Sequence, residues 1–204
     1  MGLFATDVYS LADLRRLAQA SALRRMARLQ TSHRSNSRNV MPKRQTARDL
    51  LDRFEKECRN RFKFLEEGFD FEPPKRQRIS VFCSLTYQNE TTAVEVSLEP
   101  IDGGVFVLVS RLVNGQIPKY PVFVTRGMKL HSFYLDDLVG LRRPDAAKRQ
   151  AGVDPPSVRE IAKSVGQSAS QLRELGNDIL SGDFAIFSEL DKIVKARIPS
   201  RNRS

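Results

Sequence analysis

Two histidines, two cysteines and a few adjacent acids are the side chains of this 204-residue sequence best suited to chemistry. His131 lies just before Asp136 and Asp137, and an imidazole beside a carboxylate is half of a hydrolytic triad. The other half needs a nucleophile, and no G-x-S-x-G elbow supplies a serine. His131 therefore reads as an exposed loop residue, and His33 falls in the linker-like "TSHRSNSRNV". Cys58 and Cys83 are too few and too far apart for a zinc module or a disulfide framework, and each sits at an apolar position of its segment. They read as small core residues, not as reactive thiols. Glu66-Glu67 and Asp136-Asp137 are neighbours on helices, where consecutive side chains diverge by about 100°, so neither pair converges on a substrate. No Walker loop, dinucleotide fingerprint, EF-hand or H-E-x-x-H occurs, and Gly103-Gly104 suits a tight turn better than a phosphate cradle. No cofactor or metal is expected, and enzymatic activity is disfavoured. An enzyme whose site is assembled from dispersed residues is the third reading.

The elements that would hold these residues emerge from periodicity. Leu50, Phe54, Cys58, Phe62 and Leu65 recur every three or four residues among charged ones, which predicts one amphipathic helix from a Thr46 cap to Gly68. "FDFEPPK" is extended or turning, because Pro73 and Pro74 cannot continue a helix. "ISVFCSLTY" alternates with the two-residue period of a strand, "QNETT" turns the chain, and Val94, Val96 and Leu98 mark a second strand. "VFVLVSRLV", Val105 to Val113, is apolar on both faces and reads as the most covered strand. Asn114-Gly115 is the favoured type I′ pair, and a fourth strand is expected around Val122 to Thr125, at an edge because of Pro118 and Pro121. A short helix through Leu135, Leu138 and Leu141 stops before Pro144, and 145–154 reads as an exposed connection. Val158, Ile161, Val165, Leu172, Leu175 and Ile179 then line a long helix, and Phe184, Phe187, Leu190 and Val194 a last short one. The expected fold is α+β: an N-terminal helix, a four-stranded antiparallel meander, and C-terminal helices packed on one sheet face.

Charge divides the chain. The formal net charge is +10, yet residues 1–45 hold nine basic residues against Asp7 and Asp13, and the remainder is nearly balanced. Residues 1–45 read as a basic extension, helical in part or disordered, with Met41 an alternative native start. Residues 46–198 read as a single domain and 199–204 as a disordered tail. Arg15, Arg16, Arg24, Arg25 and Arg28 lie along the helical part, where they could meet phosphates, so nucleic-acid association through 1–45 is the second functional reading. "KRQR", Lys75 to Arg78, reads as the solubilising charge of a sheet edge. No apolar run approaches the roughly 20 residues of a membrane span and no secretory signal is evident. No membrane association and a cytoplasmic location are expected.

"DILSGDFAIFSEL", Asp178 to Leu190, reads as a joint between two helices: Gly182 takes a left-handed conformation and Asp183 caps the next helix. Together with "FKFLEEGFDF", "VEVSLEP" and "LDDLVGLRRP" it makes residues 46–197 resemble a group of uncharacterised small bacterial proteins, common in actinobacteria and marked by a C-terminal LxGDFxxF turn. The resemblance implies an immunity or accessory protein of a bacterial toxin or conflict system. The first functional reading is thus a non-enzymatic protein-binding module, binding an unknown protein through an exposed sheet edge or face that includes Phe82, Phe106 or Tyr120.

Overall fold

Leu51, Phe54, Cys58, Phe62 and Leu65 are all buried, and their spacing of three or four residues turns one helical face inward. In the computed structural model, which describes residues 47–79, 82–99, 104–121, 124–144 and 158–197, this face belongs to two helices, α1 (Ala47–Arg61) and α2 (Lys63–Gly68). The expected single helix breaks at Phe62, whose ψ of 7° leaves the helical region. The break sits where the Cys58 carbonyl accepts two hydrogen bonds, from the Phe62 N–H at 2.9 Å and from the buried Tyr87 hydroxyl at 3.2 Å. The expected Thr46 cap lies outside the described residues. Gly68 is the last residue of α2, but the left-handed conformation falls on Asp70, with φ of 56°.

The sheet has five antiparallel strands in sequence order: β1 (Glu72–Ile79), β2 (Phe82–Gln88), β3 (Thr92–Glu99), β4 (Gly104–Arg111) and β5 (Ser132–Tyr134). Sequence periodicity predicts four, and the difference lies at the edges. β1 contains Pro73 and Pro74, tolerated because they sit on an edge strand where the pairing register shifts between Glu72 and Lys75. Val124 and Thr125, in the expected fourth strand, are not strand, while Val122 and Phe123 lie outside the described residues. The edge is supplied instead by β5, three residues too short to show alternation. The I′ turn does form: Asn114 and Gly115 have φ of 53° and 72°, closing a bridge between Val113 and Gln116.

Alternation along the strands gives the sheet an inner and an outer face. Cys83, Leu85 and Tyr87 of β2, Val94, Val96 and Leu98 of β3, Val107 and Val109 of β4 and Phe133 of β5 are buried inward. They meet α1 and three further elements: α3 (Leu135–Arg142), α4 (Val158–Leu175) and α6 (Phe187–Ala196), the last preceded by the single turn α5 (Asn177–Leu180). This is the expected α+β arrangement of helices against a sheet.

The long C-terminal helix is interrupted at Gly176, where a Cβ would lie 2.7 Å from the Leu172 carbonyl oxygen, so glycine is the residue that fits. The next stop, at "LSGDF", is a Schellman motif. The Asp183 N–H reaches back to the Asp178 carbonyl at 2.9 Å, the Gly182 N–H to Ile179 at 3.0 Å, and Gly182 has φ of 89°. Asp183 does not cap α6: its carboxylate accepts from the Ala185 N–H at 2.9 Å and orders the turn ahead of the helix, whose N-cap position is Ile186, with no side-chain bond.

Candidate functional site

On the outer face, Phe106 of β4 continues the row Gln77, Ser84, Ser97, while the next row runs Lys75, Thr86, Glu95, Leu108, Tyr134. Phe106 and Tyr134 stand in adjacent rows, and their rings meet edge to face at 6.3 Å. The chain leaving the I′ turn then brings Tyr120 edge to face with Tyr134 at 5.4 Å. All three rings are half-buried, an arrangement worth about 0.5–1.5 kcal/mol per ring pair beyond area burial. Two of the expected contact residues are thus joined through a third that periodicity does not reveal. Phe82 lies on the same face at the β1–β2 end, opposite the exposed Ile79 and two strands from Phe106.

Beside this cluster, Asp137 in the first turn of α3 is buried, and its carboxylate is bound by Arg197 at the end of α6. Tyr120 feels both: burial, and then the Asp137 charge, push its hydroxyl above the usual tyrosine range, while Arg197 partly opposes them. The phenol stays protonated near neutrality and presents a hydrogen-bond donor. What the site offers is apolar ring edges, the phenolic hydroxyls of Tyr120 and Tyr134 and a paired guanidinium, the vocabulary of recognition.

The residues weighed for catalysis are distributed otherwise. Asp137 is held by Arg197, not by His131, whose carbonyl accepts from the Arg111 N–H at 2.8 Å. The Nδ1 of His131 and the Oγ of Ser132 are both buried without a hydrogen-bond partner, but consecutive side chains at a strand point to opposite faces, so the two do not form one dyad. Cys58 and Cys83 are free and buried. Burial first, and the nearby Cys83 second, drive the Cys58 thiol far above its usual range, which suppresses the thiolate.

The two arginines of the basic run, which lies within β1, are neutralised from the helix above it. Arg76 binds Glu55 at 3.2 Å and Arg78 binds Asp52, both acids on α1, because these two arginines share the inward-facing register of Leu85 and Cys83. A shallow depression of about 310 Å³ on α1, lined by Asp52, Glu55, Lys56, Arg59 and Asn60, is walled by the same paired charges. Arg15, Arg16, Arg24, Arg25 and Arg28 lie outside the described residues. Among the described residues, no group of three metal-ligating side chains converges, and no helix is long and apolar enough to cross a membrane. No family model, curated protein or solved structure matches the chain.

Proposed function

We propose that this chain is a non-enzymatic protein-binding module whose contact surface is the outer face of the sheet, with Phe106, Tyr120 and Tyr134 as its anchors. The observation that carries this reading is the half-buried three-ring cluster on the sheet face turned away from the helices. Large amphipathic rings with few rotatable bonds contribute heavily to protein interfaces, and their hydroxyls find partners at the rim. The resemblance of the "FKFLEEGFDF" and "ILSGDFAIFSEL" segments to small bacterial immunity-like proteins points the same way, toward a cytoplasmic accessory protein that acts by occupying a partner.

The test is affinity capture from a bacterial lysate with the full chain and with the Phe106→Ser/Tyr134→Ser variant, both shown by circular dichroism to be folded at the capture temperature. A protein recovered in fixed stoichiometry by the wild type and lost with the variant supports the reading. Recovery that disappears on nuclease treatment overturns it and favours nucleic-acid association through residues 1–45, and recovery equal for both baits overturns the ring cluster as the contact surface.

A further inference from the structure

β5 pairs with β4 only from Leu108 to Ser110, and the ladder continues one step, to the Arg111 N–H on the His131 carbonyl. The chain between them leaves and returns at the same point of the sheet. Its composition is unlike the rest: between Arg111 and His131 the sequence contains Lys119, Arg126 and Lys129 and not one acid. All three cations are exposed. Four large apolar side chains are prominently exposed among the described residues, and three lie here: Val113 (39%), Ile117 (40%) and Met128 (37%). Val113 and Met128 sit close in sequence to the paired feet, Arg111 and His131, so they emerge from the same end of the ladder. The I′ turn holds the outgoing limb through reciprocal Val113–Gln116 hydrogen bonds of 2.9 and 3.0 Å, which lowers the entropy lost on docking.

We infer that this excursion is the docking site for an acidic, amphipathic segment of a protein partner, its carboxylates facing Lys119 and Lys129 and its apolar side covering Val113, Ile117 and Met128. The inference rests on the protein-binding reading and adds the partner's chemistry. Charge complementarity sets the sign, since a stretch with only positive charge repels a basic partner and attracts an acidic one. Exposed aliphatic side chains contribute little against a phosphate backbone, and the Tyr120 ring, already packed on Tyr134, is not free to stack a base. Tyr120 also joins the excursion to the outer sheet face, where Glu95 stands beside Leu108. A bilayer or a nucleic acid presents uniform negative charge to both regions, whereas a protein can place acids over the excursion and other groups over Glu95.

The experiment titrates the full chain against three labelled probes: a short peptide alternating Glu with Leu, a single-stranded DNA oligonucleotide of matched charge, and vesicles containing anionic lipid. Two variants accompany the wild type, Lys119→Glu/Lys129→Glu and Val113→Ser/Ile117→Ser/Met128→Ser; all the positions are exposed, and circular dichroism confirms folding. The peptide should bind the wild type at low salt, and the charge reversal should weaken it about two- to thirtyfold, the range that losing two exposed ion pairs supplies. The serine variant should weaken it as well. Absence of peptide binding, peptide binding indifferent to both variants, or oligonucleotide or vesicle binding that depends selectively on Lys119 and Lys129 would overturn the inference. The same variants applied to a captured partner separate the two proposals: one that requires Tyr134 but not the lysines leaves the protein-binding reading standing and removes this one.

Discussion

The Thr92 hydroxyl donates to the Ile179 carbonyl at 3.0 Å, joining the first residue of β3 to a helical turn 87 positions later in the chain. Both residues are buried. Asn89 reinforces the junction: its amide donates to the Phe69 carbonyl at 3.1 Å and the Leu180 carbonyl at 3.4 Å, while its Oδ1 accepts from the Thr91 and Thr92 N–H groups. The β2–β3 turn is therefore the knot that ties the end of α2, the sheet and the "LSGDF" stop together.

Thr92→Val keeps the shape and removes the donor, leaving the Ile179 carbonyl without this bond. Stability should fall by about 1–2 kcal/mol, read as a shift of the urea midpoint at constant slope. Thr92→Ser keeps the hydroxyl and should lose less. Equal losses in the two variants would assign the effect to packing.

Gly182→Ala meets two obstacles: a φ of 89° and a Cβ placed 3.1 Å from the Thr91 Oγ1. We expect a loss of about 1 kcal/mol from the dihedral alone, visible as a lower melting temperature. Adding Thr91→Ala should recover the steric part and leave the dihedral part. An unchanged melting temperature in the single variant would contradict the Schellman geometry.

Acid should loosen the same region through Asp178. Burial alone would raise its carboxyl, but bonds from both Nη atoms of Arg142 and from the Ile179 backbone outweigh burial and hold it below the usual carboxylate range. A group with a depressed folded pKa stabilises the fold above its unfolded value, about 4, and that contribution is lost as pH falls through the folded value. Asp178→Asn should lower stability at neutral pH and flatten the acid limb of a stability profile. A parallel profile, merely displaced downward, would mean that the pair does not titrate with folding.

The buried thiol and phenol give the opposite limb. Burial drives both Cys58 and Tyr87 upward, so their stabilising contribution is complete below the unfolded values, about 8.5 and 10, and disappears as pH rises beyond them. Native protein at neutral pH should leave a chromogenic thiol reagent unreacted, with two thiols appearing on unfolding in urea. Prompt reaction of either in the native state would contradict the burial.

Helix faces, strand alternation, the Asn114-Gly115 turn and the Gly182 stop were legible in the sequence because each is a local preference: a period of 3.6 or 2, or a backbone dihedral that few residues adopt. Phe106 and Tyr120, expected as exposed aromatics, are half-buried. Residue pairing belonged to the tertiary structure. β5 has only Ser132, Phe133 and Tyr134, too short for a period to show, and it exists because β4 offers an edge for it to pair with. Tyr134 becomes the ring linking Phe106 to Tyr120 for that reason alone. Pro73 and Pro74 argue locally against a strand, yet β1 forms because an edge leaves the missing N–H groups without a required partner. Arg76 and Arg78 read as free charge in sequence and become partners of Glu55 and Asp52 once α1 lies above β1. Sequence determined what each segment prefers, and packing decided which segments meet, since contacts between residues tens of positions apart leave no local trace in either one.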